Sequence, residues 1–219
     1  MKLLTVGDSF TYGEELADLT SAWPNLLANE LGYKLTNLAK PGSGNTRMVR
    51  HVVEQVNNYD MVIIAWSHFG RFEIADEAGC YDIWPGCNNK AQYKLNSSWR
   101  WDQIDYFNRH HDDYYLYRQY LTNILLIQGF LTAHKKRYIM MDTFGNNYDP
   151  NLTIPMLREK NLDLMNRVDR RYFIGWPTET MMEWTYGCPQ GEKGHFLEDG
   201  HNMVAEKIAM FMEQAVWDY

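Results

Sequence analysis

The sequence predicts an α/β protein, a parallel central sheet covered by helices on both faces. Three observations predict it. Short apolar runs of strand length alternate along the chain with stripes of helical period. The run Met61–Trp66 (MVIIAW) is apolar throughout, as a strand covered on both faces should be. Turn formers follow these runs at 7–10, 40–45, 67–71 and 143–147, and in a parallel sheet those loops share the carboxyl edge where ligands bind.

Taken in order, residues 3–6 (LLTV) form a first strand that ends at Gly7. Trp23, Leu26, Leu27 and Leu31 then fall on one helical face, with Pro24 tolerated in the first turn. Residues 33–39 read as a second strand. Met48, Val49, Val52, Val53 and Val56 form a helical stripe closed by Asn57 and Asn58. After the strand at 61–66, a long helix is expected over 112–134 and a fourth strand over 137–142 (RYIMMD). A helix over 155–168, a strand over 171–176, and a closing helix with Met203, Val204, Ile208, Phe211, Met212 and Ala215 on one face complete the pattern. Successive strands joined through helices imply right-handed crossovers.

The 219 residues suit a single domain spanning 1–219, large enough to fold without disulfides or metal. Residues 74–111 interrupt the alternation as an aromatic-rich insertion carrying Tyr81, Trp84, Tyr93, Trp99, Trp101, Tyr106 and Phe107. Such a stretch can be a satellite core under a loop or a wall of a binding cleft, and Trp99 and Trp101 are the candidate substrate contacts on it. The net charge of −7 and pI near 5.5 argue against a nucleic-acid binder. No apolar run reaches the ~18 residues of a membrane span. The opening MKLLTV is too short for a signal peptide, so a cytoplasmic location is expected. Of the three cysteines, Cys80 and Cys87 could bridge in an oxidising setting, but reduced thiols are expected in a chain without an export signal.

Two segments carry chemistry. Gly7-Asp8-Ser9 follows the first strand directly, where a serine can expose its hydroxyl beside the N–H groups of the next helix. Near the other end, Glu192 precedes His195 by three residues, a spacing that lets a carboxylate hold one imidazole nitrogen while the other serves as base. Asp199 is a rival orienting group, although its place before the last helix suits an N-cap better.

With these blocks the chain resembles the GDSL/SGNH hydrolase superfamily of serine esterases, lipases and acetylhydrolases. Residues 6–13 (VGDSFTYG) are close to the N-terminal GDSxTxG block. Residues 37–42 (NLAKPG) fit the second block, and Glu192-x-x-His195 followed by Gly200-His201 fits the last. The resemblance implies a three-layer α/β/α sandwich with flavodoxin-like topology. It also implies Ser9 as nucleophile, His195 as base, Glu192 as its orienting group, and the Ser9 and Gly42 amides as oxyanion donors, with Gly44 the alternative. His201, at the family's Gly-His, is read as structural.

The third block departs from the family. Its Gly-x-Asn-Asp supplies an oxyanion donor, but here Ser67-His68-Phe69-Gly70-Arg71 places Phe69 where the Asn should stand. Asn45, Ser67 and His68 are the candidate substitutes. Arg71 could recognise an anionic group or pair with Glu73 or another acidic neighbour. His110-His111-Asp112-Asp113 suits a helix start better than a metal site, and Lys135-Lys136-Arg137 a helix C-terminus. The expected function is an ester hydrolase working through an acyl-enzyme, without cofactor or metal. Its substrate would be a small-molecule or carbohydrate ester, such as a sugar acetate. An SGNH-like binding or assembly domain with little turnover, and a lysophospholipase- or thioesterase-like lipid hydrolase, are the alternatives.

Overall fold

The structure, a computed structural model, describes residues 1–76, 79–84, 98–144 and 154–217. Its centre is a five-stranded parallel sheet of β1 (Lys2–Val6), β2 (Lys34–Asn37), β3 (Met61–Trp66), β6 (Arg137–Asp142) and β7 (Phe173–Ile174). The order is β2-β1-β3-β6-β7. β3 is fully buried and pairs in register with β6 from Met61–Arg137 to Trp66–Asp142. Its unbroken apolar character therefore reflects its central place. Between β3 and β6, β4 (Phe72–Asp76) and β5 (Gly79–Ile83) pair antiparallel as a separate ribbon.

Alternate residues of the strands feed two cores. One face carries Leu4, Val6, Val62, Ile64, Trp66, Tyr138 and Met140. It packs against Met48 and Val52 of α3 (Asn45–Gln55) and Leu121, Ile124, Ile127 and Leu131 of α5 (Asp113–Ala133). The other face carries Leu3, Met61, Ile63, Ala65, Ile139 and Met141. It packs against Trp23 and Leu27 of α2 (Trp23–Leu31) and Val204 and Ile208 of α9 (Glu198–Gln214). This is the expected sandwich. The helices that follow β1 and β3 lie on opposite faces of the sheet, so the switch point of this strand order falls between those two strands, and α1 (Ser9–Tyr12) begins at the carboxyl end of β1.

Some boundaries differ from the sequence pattern for local reasons. The second strand stops at Asn37, whose Oδ1 accepts from Thr5 Oγ1 and the Ala39 N–H, both at 3.0 Å, while its Nδ2 donates to the Thr11 carbonyl. The helix expected over 155–168 breaks into α6 (Ile154–Lys160) and α7 (Leu162–Met165). At the break, Asn161 bonds back to the Leu157 carbonyl at 2.8 Å. The strand expected over 171–176 is only Phe173–Ile174, because a 3-10 turn occupies Arg170–Tyr172.

The aromatic insertion is tied to the body. It contributes β5 and α4 (Ser98–His110), with Ile104 buried and Phe107 edge-on to Phe72 at 4.6 Å. Buried Asp82 on β5 accepts from the Gly44 N–H at 2.8 Å, from Arg47 Nε at 2.9 Å and from Lys40 Nζ at 3.3 Å. The loop that carries Gly42 is thus braced from the insertion side. The side chains of Trp99 and Trp101, and Cys87 with its expected thiol state, lie outside the described residues. Cys80 and Cys188 are free thiols. Among the described residues no helix is long and apolar enough to cross a membrane, and no cluster of three or more His, Cys, Asp or Glu could hold a metal.

Candidate active site

The serine turn follows from three adjacent residues. At Gly7 a Cβ would lie 2.2 Å from Thr11 Oγ1, so only glycine lets α1 fold back this tightly onto β1. Asp8 caps the helix, its Oδ1 accepting the Phe10 N–H at 3.1 Å. Ser9 then opens α1, almost fully buried, with its own N–H in the first turn where no intrahelical acceptor exists. The turn 40–43 is tied to the same strand end, the Lys40 N–H bonding to the Gly7 carbonyl at 3.2 Å. The Ser43 N–H bonds to the Lys40 carbonyl at 3.0 Å, with Pro41 and Gly42 at the centre and Gly42 at φ +76°. That is a type II turn, which requires glycine at this position. Among the described residues the Gly42 N–H meets no acceptor.

His195 is held by a carboxylate from the opposite end of the chain. Its Nδ1 lies 2.8 Å from Glu15 Oε2, which also accepts the His195 backbone N–H at 3.1 Å. Glu15 Oε1 accepts the Lys193 N–H at 2.8 Å. Burial by itself would raise the Glu15 carboxyl, but these N–H groups outweigh it and hold it below the usual carboxylate range. Two local features serve this contact. Glu15 has φ +74°, a conformation costly for a residue with a side chain. At Gly191 a Cβ would lie 2.5 Å from the Glu15 carboxyl carbon, so the absence of a side chain there makes room for the carboxylate.

The carboxylate on His195 is therefore Glu15 and not the Glu192 expected from the sequence. Residues 191–195 close into a tight turn, with Gly191 N–H on the His195 carbonyl at 2.9 Å and Gly194 N–H on the Gly191 carbonyl at 3.0 Å. The turn directs the Lys193 and His195 N–H groups inward to Glu15 and leaves Glu192 exposed. Asp199 is not the N-cap of α9, which is Leu197; it lies exposed in the first helical turn. His201 is structural: it is buried, and its Nδ1 accepts the Trp23 N–H at 3.1 Å.

The His195 ring packs 4.7 Å from that of Phe10, the residue after Ser9, and its Nε2 faces Glu14 Oε2 at 3.7 Å. Among the described residues Ser9 and His195 share no hydrogen bond. Contacts of this kind commonly close only in the complex with substrate.

Most candidate substitutes for the third-block Asn are committed elsewhere. The Asn45 amide clasps the 67–68 backbone, accepting the Ser67 N–H at 2.9 Å and donating to the Ser67 and His68 carbonyls at 3.3 and 3.1 Å. Ser67 Oγ donates to Asp8 Oδ2 at 2.7 Å. The Gly44 N–H belongs to Asp82. His68 Nδ1 accepts the Gly70 N–H at 3.1 Å. Phe69 is buried in the core, edge-on to Tyr117 at 5.5 Å. Arg71 reaches the site: its Nη1 is 3.8 Å from Asp8 Oδ2. Burial pushes the Asp8 carboxyl up, against the opposing pull of Arg71, Ser67 and the Phe10 N–H. Glu73, the other carboxylate considered for Arg71, pairs with Arg47 and Arg50.

Sequence reasoning missed Glu15, because nothing in its spacing links it to His195. It also gave no role to Asp142, which ends β6 close to Ser67. There burial pushes the carboxyl up to about 7 even though the Tyr120 hydroxyl donates to it.

A family described as "Family of unknown function (DUF6071)" matches residues 12–216. The chain belongs to that family. No curated protein matches it. Among solved structures it is similar to TesA, at 13% identity over 99% of this chain and 100% of that one, with a TM-score of 0.61. It is also similar to the psychrotrophic esterase EstA from Pseudoalteromonas sp., at 12% identity over 97% of both chains, with a TM-score of 0.59. A third is a member of the lipolytic protein G-D-S-L family from Veillonella parvula, at 13% identity over 96% of this chain and 97% of that one, with a TM-score of 0.52. At such identities the likeness establishes the fold: this DUF6071 protein has the α/β architecture of those structures.

Proposed function

We propose that this protein is a serine ester hydrolase with a Ser9–His195–Glu15 triad. The observation that carries the reading is the Glu15 carboxylate on His195 Nδ1, with the imidazole packed against the residue after Ser9. A carboxylate there fixes the tautomer that leaves Nε2 free to accept a proton. As Ser9 Oγ bonds to the ester carbonyl carbon, its proton passes to His195 Nε2 and the carbonyl π pair moves onto oxygen. The Ser9 and Gly42 amides hold that oxyanion. Collapse expels the alcohol, which takes the proton from His195. Water then repeats the sequence on the acyl-enzyme and releases the acid.

The surfaces around the serine turn favour a short acyl group on a polar alcohol such as a carbohydrate. They are the rings of Trp84 and Phe144 and the Arg71 guanidinium. Ring faces of this kind suit the C–H faces of sugars. A cavity of about 620 Å³ lined by Phe69, Phe72, Phe107 and Tyr115 also borders Arg71, so an apolar space lies on the far side of that guanidinium and supports the lipid-hydrolase alternative within the same class. Phe69 in place of the third-block Asn favours a second reading, a binding domain with little turnover.

A fluorophosphonate probe with p-nitrophenyl acetate separates the two. Labelling at Ser9 and hydrolysis, both lost in Ser9→Ala and His195→Ala, support the hydrolase. A folded protein that neither labels nor hydrolyses the ester, nor any of a panel of acetylated sugars, overturns it.

A further inference from the structure

We infer that Arg71 supplies the third oxyanion donor, in place of the side-chain amide that Phe69 displaces; this rests on the serine-hydrolase reading. Three contacts fix its position. Nη1 lies 3.8 Å from Asp8, the neighbour of Ser9. The guanidinium carbon lies 5.6 Å from the centre of the Trp84 ring, whose edge stands 3.3 Å from where a Cβ on Gly42 would be. It lies 4.9 Å from the centre of the Phe144 ring, which meets Phe10 edge-on at 5.4 Å, and Phe10 in turn packs on His195. The guanidinium is thus enclosed by residues that touch the nucleophile turn, the Gly42 turn and the base.

Its donors are available. A guanidinium offers five N–H groups, yet Arg71 makes no side-chain hydrogen bond among the described residues. The Asp8 contact exceeds hydrogen-bond distance, and both Asp8 oxygens already accept, one from Phe10 and one from Ser67. The two rings hold the cation without using its N–H groups. The side chain is 13% exposed, so it is largely dry and still reachable. A cation so placed strengthens its hold as the carbonyl oxygen gains charge, and this stabilises the transition state more than the bound ester.

The test compares wild type, Arg71→Gln, Asp8→Asn and the double variant on p-nitrophenyl acetate. Ser9 labelling is followed in parallel, and circular dichroism checks the fold. A donor role predicts that Arg71→Gln lowers kcat by about 10²–10³ with KM changed by less than about threefold, and that methylguanidine restores part of the loss. A mere counter-ion for Asp8 predicts that the Gln substitution costs nothing further once Asp8 is Asn. If Arg71→Gln alone does not fold, the double variant, which removes both buried charges together, is compared with Asp8→Asn. Wild-type turnover with kcat unaffected by the substitution in either background overturns the inference and leaves the hydrolase standing. A wild type that neither labels nor turns over sinks the hydrolase reading itself.

Discussion

Glu15 and His195 are 180 residues apart in sequence and 2.8 Å apart in space, joined through Oε2 and Nδ1. The same carboxylate takes two backbone N–H groups of the turn that bears the histidine, so it sets the loop and the ring together. Glu15→Gln should therefore lower kcat by about 10²–10⁴, since an amide can donate to Nδ1 and favour the wrong tautomer. Glu192→Gln should leave kcat within about threefold. Steady-state kinetics on an acetyl ester would check both, and equal losses would contradict the assignment.

Gly191 offers an independent test. An added methyl group must displace the Glu15 carboxylate, the nearest group to it. Gly191→Ala should cost kcat at least about tenfold while leaving the thermal midpoint within a few degrees, because a slightly misplaced catalytic group is enough to slow turnover. Normal turnover in this variant would show that the carboxylate position is unimportant.

Asp142 should give the protein a measurable pH slope. Its carboxyl is raised to about 7 by burial, so the folded chain holds this proton more tightly than the unfolded one. The associated stability is fully present below about pH 4 and is lost as pH rises through about 7. Because His201 opposes it over the same range, the contribution is read as a difference between variants: relative to wild type, Asp142→Asn should raise the urea midpoint more at pH 8 than at pH 5.

His201 should act with the opposite sign. Burial, aided by the charge of His195, lowers it to about 4, and its neutral ring accepts the Trp23 N–H. That stability is present above about pH 6.5 and lost as pH falls through about 4. His201→Ala should destabilise the fold by about 1–3 kcal/mol, leaving a buried N–H unpaired, with kcat changed far less than by His195→Ala. Comparable damage to kcat from the two substitutions would argue that His201 has a part in the chemistry.

The sheet was legible because burial writes itself into composition. Met61–Trp66 and Arg137–Asp142 are apolar runs whose observed bounds coincide with the expected ones. Edge and broken elements were less so: side-chain bonds at Asn37 and Asn161 end β2 and split the helix after residue 154, and no periodicity reports them. At the candidate site, Ser9, Gly42 and His195 could be proposed from short motifs because each depends on a local turn. Glu15 could not. Its role arises from tertiary contact, and the only local trace is a run of two glutamates after Gly13, indistinguishable in sequence from a solvated pair.

The proposed nucleophile Ser9 and Glu15, the carboxylate on His195, are encoded six positions apart, on one short stretch of chain. Grafting residues 7–16 into a relative would transfer both functions in a single exchange. A crossover anywhere between Leu16 and Gly191 would part the histidine from its two companions while keeping those companions together. Chimeras between distant homologues should accordingly fail or succeed on whether the recipient's 191–195 turn can receive a carboxylate arriving from the amino-terminal side.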